Sequence, residues 1–233
     1  CQTVAYLNIL DRNAYIGSIF RALWTELGGE WTGKVQDGVT PSNASLLHER
    51  QSETLADTLR IINKFSDNAM ARITFLTLGA ESGLTKQFGD SNQAANAEIR
   101  SWLAKNKIND QGLIVENGSG LSRLDRISAE QLAAILRIAN NSFWQAEFAS
   151  SLPIVALDGS MKNRLKASAA EGRARIKTGT LRNVMAVAGY VRDPNQQDWI
   201  LVAFINTEDA SAMRGKAVLD ELINWLASGR ASN

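Results

Sequence analysis

Apolar residues recur every three or four positions in several stretches of the chain, which is the spacing of one face of an α-helix. The first stretch runs from Ala14 to Leu27, after a capping segment at Asp11 and before Gly28. The same spacing predicts helices over residues 52–65, 69–78, 91–104, 129–138 and 143–149. Near the C-terminus, a single apolar stripe predicts a helix that packs on a sheet, with Leu219, Leu222, Ile223 and Leu226 facing inward.

Three apolar segments in the last third of the chain have the composition of β-strands and cover residues 173–178, 183–192 and 199–206. Their apolar residues fall on both faces, which predicts central strands covered on both sides. Shorter strands are predicted at 4–10, 31–35, 46–48 and 112–115. The chain is therefore expected to be an α/β protein of the α+β type, with an antiparallel sheet, helices on both sides and a helical subdomain.

The composition excludes several classes of function. The chain has 233 residues, of which 45% are hydrophobic and 21% charged, as in an ordinary globular protein. The 25 Lys and Arg residues balance the 24 Asp and Glu residues, so neither nucleic acid nor an anionic membrane is expected as a partner. No apolar run is long enough for a transmembrane segment. With Cys1 and His48 as the single residues of their kinds, the chain cannot build a usual zinc site.

The chain begins at Cys1 without the basic and small-residue features of a signal peptide. Two interpretations of this beginning stay open. One is a mature lipoprotein, and the other is a longer protein that was cut or truncated at this point.

Candidate chemistry centres on Lys177-Thr178-Gly179 at the end of the first long strand. An ammonium group, a hydroxyl and a backbone without a side chain form an edge suited to a carboxylate, and the N–H of Thr180 is an oxyanion donor on the same edge. The plain alternative is a strand end with an exposed lysine, because this tripeptide occurs by chance in roughly three chains in a hundred of this length. Lys-Thr-Gly belongs to the signature of penicillin-recognising serine enzymes, together with Ser-x-Asn and Ser-x-x-Lys.

A Ser-x-Asn pattern lies at the predicted junction of two helices, as Ser66-Asp67-Asn68. Polar side chains at such a junction are well placed for binding and catalysis. The alternative is ordinary capping, in which Ser66 or Asp67 accepts hydrogen bonds from the next helix. A further segment, Asp158-Gly159-Ser160, is interpreted as a turn.

Four blocks in the order INKFSDNAMA (62–71), VENGSGLSR (115–123), SLPIVALDGSMKNRL (151–165) and ARIKTGTLRNVMAVAGYV (174–191) extend the two motifs. Together they resemble the D-alanyl-D-alanine carboxypeptidase/endopeptidase family of penicillin-binding protein 4, over nearly the whole chain. The family usually has Asp where this chain has Asn117, a position we interpret as structural. The resemblance implies a β-lactamase/transpeptidase-like fold.

The resemblance also implies a serine-type peptidase that cleaves peptides ending in D-Ala-D-Ala through an acyl-enzyme. Three residues would be catalytic. Ser66 would pass a proton to the leaving amine, Asn68 would bind the substrate amide and hold the catalytic lysine, and Lys177 would attract the terminal carboxylate and polarise Ser66. No cofactor is implied.

Three neighbouring positions would bind the substrate in the same scheme. Thr178 would hydrogen-bond the terminal carboxylate, Gly179 would let the ligand approach the backbone, and Thr180 would supply an oxyanion donor. The implied partners are peptidoglycan stem peptides and β-lactam antibiotics, and the implied location is the periplasm.

The chain departs from the family in one respect, since none of its serines has a lysine three residues later. We therefore expect this chain to be the C-terminal part of a longer protein. Residues 1–44 would be the end of an inserted region or the start of the returning catalytic domain, and residues 45–233 the rest of that domain. The nucleophile, its lysine and a signal peptide would lie in a missing N-terminal segment, which would itself be a partner of this core and leave apolar surface exposed.

Two further functions stay open beside the peptidase. A serine β-lactamase would use the same chemistry with faster deacylation. A non-catalytic cell-wall or partner-binding module would bind its partner without cleaving it.

Overall fold

The computed structural model of this chain describes residues 11–207 and 212–232. It divides into two compact units, residues 1–51 and residues 52–233. The strand predicted at 4–10 and Cys1 lie outside the described residues. In the part of the chain that the structure describes, no helix is both long and apolar enough to cross a membrane.

The first unit is built on helix α1, Arg12–Glu26. Asp11 caps it as predicted, since its carboxylate accepts the N–H groups of Asn13 and Ala14. The strand predicted at 31–35 is wrong, because its apolar side chains pack on the helix: the ring of Trp31 lies 5.4 Å from that of Phe20, edge to face. The strand predicted at 46–48 is also wrong. Its leucines are exposed, and a run this short carries too little periodicity to predict pairing.

The helices predicted in the second unit are confirmed, with ends shifted by a few residues. The short helix α4, Thr85–Phe88, was not predicted. Ser128 and Gln131 form the capping box that their spacing predicts at the start of α6, Ala129–Asn140. In chain order, the helices of this unit are α2 Leu55–Phe65, α3 Asn68–Glu81, α4 Thr85–Phe88, α5 Ser91–Lys105, α6 Ala129–Asn140, α7 Gln145–Ser151 and α8 Ala212–Ala227.

Helices α3 and α5 pack very closely at Gly79. A Cβ atom on this glycine would lie 1.9 Å from the carbonyl oxygen of Ser91, so only glycine fits. Ala94 and Ala95, which follow on α5, are completely buried. This tight contact holds the helix whose first residue is Asn68.

The sheet is antiparallel with the order β1-β2-β3, formed by β1 Ala174–Leu181, β2 Val184–Arg192 and β3 Asp198–Asn206. One face packs on α8 in a core that includes Ile176, Val187 and Ile223. The other face packs on α6 and the residue after α7, through Leu136, Leu152 and Tyr190. Helices thus cover both faces, which confirms the predicted fold class.

The prediction that all three strands are central is wrong. Only β2 has a strand on each side among the described residues, and β1 and β3 form the sheet edges. Apolar residues on both faces of a strand report cover above and below the sheet, and they carry no information about lateral neighbours. The strand predicted at 112–115 is reduced to one bridge between Ile114 and Arg126.

Large apolar side chains are exposed in both units, which confirms the expectation of exposed apolar surface. In the second unit they include Phe65, which is 73% exposed, and Phe143, which is 90% exposed. Apolar patches of this kind commonly mark surfaces that bind a partner.

Candidate functional site

The outer edge of β1 is only half covered. Ile176 donates its N–H to the carbonyl oxygen of Pro153, and Val155 donates to that of Ala174, so the segment 153–155 lies along the first half of the strand. Because alternate residues of a strand direct their backbone groups the same way, the N–H groups of Thr178 and Thr180 face this same edge beyond the covered part. The second half of β1 therefore offers free backbone donors.

A cavity of about 460 Å³ opens beside this free edge. It brings together all six residues that the sequence predicts for the site, drawn from the α2–α3 junction and from β1. Its walls are formed by Ile62, Asn63, Ser66, Asp67, Asn68, Ala71, Gly118, Ser119, Gly120, Leu121, Lys177, Thr178, Gly179 and Thr180.

Ser66 occupies the turn between α2 and α3 in a left-handed conformation, with φ 57° and ψ 48°. This conformation is unfavourable for a residue with a side chain, and such residues often mark functional sites. The capping alternative applies to Asp67, whose carboxylate accepts the N–H of Met70 at 2.9 Å. The hydroxyl of Ser66 instead accepts a hydrogen bond from Lys177, 111 residues away in the sequence.

Lys177 holds a half-buried ammonium group without a carboxylate partner. Its Nζ donates to the hydroxyl of Ser66 and, at 3.0 Å, to the carbonyl oxygen of Thr178. None of the ion pairs among the described residues includes it. Burial lowers the pKa of Lys177 from its ordinary value of 10.5, because the charged form loses water that no anion replaces. The site is thus electrostatically prepared for an anionic group.

The two residues that follow Lys177 on β1, Thr178 and Gly179, differ in what they expose. The hydroxyl of Thr178 lies 3.4 Å from that of Ser160, on the face of the strand opposite Lys177. Gly179 is exposed at the free edge, where the absence of a side chain leaves the backbone accessible. A ligand lying along the edge would reach Lys177, Thr178 and Thr180 together.

Asn68 is the first residue of α3, and its side chain faces a loop. Its Nδ2 donates to the carbonyl oxygen of Ser119 at 2.6 Å. The loop is held by Asn117, whose Oδ1 accepts the N–H of Ser119 at 3.0 Å, so Asn117 makes a structural contact. Gly118 packs against the ring of Phe75, where a Cβ atom would lie 2.4 Å away.

The loop residues Ser119, Gly120 and Leu121 line the cavity, although sequence reasoning assigned them no role. The glycines on either side of Ser119 were the available signal, since both have positive φ angles. A polar loop rich in glycine predicts a close backbone approach, and the structure shows which helix it approaches.

A second lysine, missed in the sequence, fixes the position of α2. Lys64 is buried, and its Nζ donates to Asp158 Oδ2 at 2.6 Å and to the carbonyl oxygen of Leu152 at 2.7 Å. Asp158 Oδ1 in turn accepts the N–H of Ile154 at 2.7 Å. This carboxylate therefore joins α2 to the segment that lies along β1. The Asp158-Gly159-Ser160 stretch is more than the simple turn we predicted from sequence.

Two further contacts tighten the same junction. Asn63 Nδ2 donates to the hydroxyl of Ser151 at 2.8 Å. Gly159 approaches the backbone of Lys64 so closely that a Cβ atom would lie 2.6 Å from its carbonyl oxygen. The distance between Ser66 on the helix junction and Lys177 on the strand is set by these contacts.

The residues that line the cavity carry one ammonium group, four hydroxyls, two side-chain amides, one carboxylate and free backbone N–H groups. Such a set recognises a carboxylate and stabilises negative charge on oxygen. Within the described ranges, no three His, Cys, Asp or Glu side chains lie together as metal ligands would.

Residues 2–228 match the D-Ala-D-Ala carboxypeptidase 3 (S13) family. A D-alanyl-D-alanine carboxypeptidase of Actinomadura sp. (strain R39) is 30% identical over 200 residues, which are 82% of this chain and 36% of the relative. The carboxypeptidase DacB of Haemophilus influenzae is 24% identical over 224 residues, covering 93% of this chain and 45% of the relative. The chain thus spans less than half the length of these relatives.

Solved structures agree with the fold. Penicillin-binding protein 4 of Haemophilus influenzae, complexed with a β-lactam, superposes with a TM-score of 0.77 at 24% identity, over 94% of this chain and 51% of that one. A predatory endopeptidase of Bdellovibrio bacteriovorus, bound to an immunity protein, superposes with a TM-score of 0.59 at 20% identity, over 95% and 58%. The resemblance and the fold expected from the sequence are confirmed.

We expect Asp158→Asn to destabilise the second unit by about 1–3 kcal/mol, because it leaves the buried ammonium of Lys64 without its charged partner. Asp110→Asn is the matched control. The two aspartates are equally exposed, at 41% and 42%, but Asp110 pairs with Arg100, which is itself 44% exposed. Its loss should cost less than about 1 kcal/mol. Urea denaturation of both variants measures the difference, and equal losses would contradict the anchoring role of Asp158.

The lowered pKa of Lys177 predicts a pH-dependent contribution to stability. Between that pKa and 10.5 the unfolded chain binds more protons than the folded chain, so stability rises with pH in this window. The free energy of unfolding of the wild type should therefore rise relative to Lys177→Met, by at most about 1.4 kcal/mol per pH unit. Urea denaturation between about pH 8 and pH 11 measures this difference.

Two features of that experiment isolate Lys177. Tyr190, whose pKa burial raises to about 12, is present in both proteins, so its effect cancels. Lys166→Met removes an exposed lysine, and its difference from the wild type should not change with pH. A flat profile for Lys177→Met as well would show that burial does not disfavour its charge.

Proposed function

The chain belongs to the D-Ala-D-Ala carboxypeptidase 3 (S13) family, and from this premise we propose that its cavity binds the C-terminal carboxylate of a peptide ending in D-Ala-D-Ala. The observation that carries the proposal is the ammonium group of Lys177, which is half-buried, bonded to Ser66 and unpaired with any carboxylate of the described residues. A substrate carboxylate supplies the missing anion.

The free edge of β1 supports the orientation of this substrate. A peptide that lies along the edge continues the sheet, accepting hydrogen bonds from the N–H groups of Thr178 and Thr180. The hydroxyl of Thr178 and the ammonium of Lys177 then bind the terminal carboxylate. Asn68 binds the substrate amide from the other wall of the cavity.

The proposed reaction is acyl transfer to a serine and then to water. The serine oxygen attacks the carbonyl carbon of the peptide bond between the two D-alanines and gives its proton to the lysine of its Ser-x-x-Lys element. The N–H of Thr180 stabilises the negative oxygen that forms, and losing one such donor typically costs about 2.7–4 kcal/mol. Ser66, polarised by Lys177, passes a proton to the departing amine of D-alanine. Water then hydrolyses the ester.

The nucleophile and its lysine must come from elsewhere in this scheme. No serine of the 233 residues is followed by lysine three positions later. The matched parts make up only 36% and 45% of the two relatives, so each relative is more than twice as long as its matched part. We propose that the Ser-x-x-Lys element lies in a segment outside this sequence and closes the cavity. The chain would then be a fragment without peptidase activity of its own.

The biological setting follows from the relatives. Structures of neighbouring enzymes hold a β-lactam or are acylated by penicillin G, which supports β-lactams as inhibitors of the longer protein. Peptidoglycan stem peptides are the proposed substrates and the periplasm the proposed location. The non-catalytic binding module and the β-lactamase remain the competing functions.

Peptide binding by the chain itself tests the first step. We expect a diacyl-Lys-D-Ala-D-Ala peptide to bind at the cavity, and its C-terminal amide to bind at least about tenfold more weakly, because it lacks the charge that Lys177 recognises. Lys177→Met should weaken the acid to the level of the amide, while Lys166→Met leaves both unchanged. Chemical shift titration measures the affinities of both peptides for all three proteins. Equal binding of acid and amide would overturn the carboxylate site.

Labelling with fluorescent penicillin tests the division of the active site. We expect no covalent label on the 233-residue chain, because attack on the lactam requires the absent nucleophile. The longer protein should be labelled at a serine outside this sequence. Stable labelling of the chain alone would refute the fragment proposal, and absence of a Ser-x-x-Lys element from the longer protein would favour the binding module. Rapid loss of the label would favour a β-lactamase.

A further inference from the structure

A second polar cavity, of about 390 Å³, lies against the other end of β1, beside α7. It shares no lining residue with the candidate active site. Its walls carry three guanidinium groups and two side-chain amides, and they consist of Asn140, Gln145, Ala146, Ala149, Ser150, Gly172, Arg173, Arg175, Tyr190, Arg192 and Asp198.

The register of the sheet forces the three arginines onto one face. Arg173 lies directly opposite Arg192, whose N–H donates to its carbonyl oxygen at 3.0 Å, and Arg175 lies opposite Tyr190. Because side chains alternate along a strand, Arg173 and Arg175 share a face, and so do Tyr190 and Arg192. Arg192 is paired with Asp198, so the uncompensated positive charge on this face is that of Arg173 and Arg175.

The one carboxylate among the lining residues, Asp198, neutralises Arg192 alone. Asp198 is fully engaged with Arg192, through bonds of 2.6 Å and 2.7 Å to its two oxygens. Arg173 and Arg175 make no side-chain hydrogen bond or ion pair within the described ranges. The guanidinium groups of Arg173 and Arg175 thus line one cavity, and among the described residues neither has a side-chain hydrogen bond or ion pair.

We infer that this cavity binds a phosphate dianion, either free or as a phosphomonoester. Two guanidinium groups without a protein partner carry two positive charges, which complement a ligand with two negative charges. A phosphoryl group carries a charge of about −1.5 to −2 at pH 7 and has three strong acceptor oxygens. Guanidinium forks match such oxygens in bidentate pairs. The amides of Asn140 and Gln145 supply further donors. The concave shape fits a single phosphoryl group better than the flat surface of an anionic membrane.

Thermal unfolding with inorganic phosphate, at constant ionic strength, provides the test. Phosphate should raise the melting temperature of the wild type in a saturable way, because it binds the folded state alone. Arg173→Gln should weaken phosphate binding about tenfold or more. Without phosphate and at low salt, however, this variant should melt at the same temperature as the wild type or higher, because the repulsion between Arg173 and Arg175 is gone. The wild type should therefore have the higher melting temperature with phosphate, and the variant an equal or higher one without it. This change of order indicates a site where positive charge is concentrated.

The controls separate the cavity from general charge effects. Arg72→Gln removes an exposed arginine of α3 and should keep the full response to phosphate. Arg175→Gln should lose the response as Arg173→Gln does, which gives a second reading if one variant is poorly folded. Glycerol phosphate should act like inorganic phosphate if the site accepts phosphomonoesters.

Three results would overturn the inference. One is a response to phosphate that does not saturate or that survives in both arginine variants. Another is equal stabilisation by succinate, which would assign the site to dicarboxylates. The third is binding to phosphatidylglycerol vesicles that depends on Arg173 and Arg175 in the absence of any phosphate response, which would assign the arginines to a membrane surface.

Discussion

The ion pair between Lys64 and Asp158 is the contact on which the geometry of the candidate active site depends. Ser66 and Lys177 belong to elements that are far apart in the sequence, and the segment around Asp158 links them. An ion pair with one buried partner contributes little net stability, because the loss of hydration offsets the attraction between the charges. Its value is directional, since a carboxylate that accepts from both Lys64 and Ile154 fixes α2 against the strand edge.

This rigid frame supports two local costs at the site. Ser66 is held in a left-handed conformation, and Lys177 keeps an ammonium group half-buried without an anion. Neither feature stabilises the fold, and both place donors where a carboxylate is proposed to bind. Residues under strain or desolvation persist only where surrounding structure holds them. The tight α3–α5 contact at Gly79 and the anchor at Asp158 provide that support from the two sides of the cavity.

Local patterns in the sequence were sufficient to predict most of the elements and the key motifs. Helix α8 has one apolar stripe, and the Ser128–Gln131 box identifies the start of α6. The segment at 31–35 failed because apolar residues that pack on a neighbouring helix resemble a short strand. Lys64 was missed for a different reason. A lysine two residues before a motif serine looks exposed in a sequence, and only the tertiary structure shows that a carboxylate 94 residues away pairs with it.

The cations along β1 likewise show that only the tertiary structure reveals the surroundings of a charged residue. Arg173, just before β1, and Arg175 and Lys177 on β1 share a face and are all cationic, yet they meet two different environments. Arg173 and Arg175 face the open cavity beside α7, and Lys177 faces the α2–α3 junction. A row of three cations on one strand is unfavourable in the absence of counter-charge. The sequence around it contributes one engaged carboxylate, Asp198. In both proposals a bound anion balances the remaining positive charge. Because the two cavities share no lining residue, a mutation in one can abolish its anion binding without changing the other.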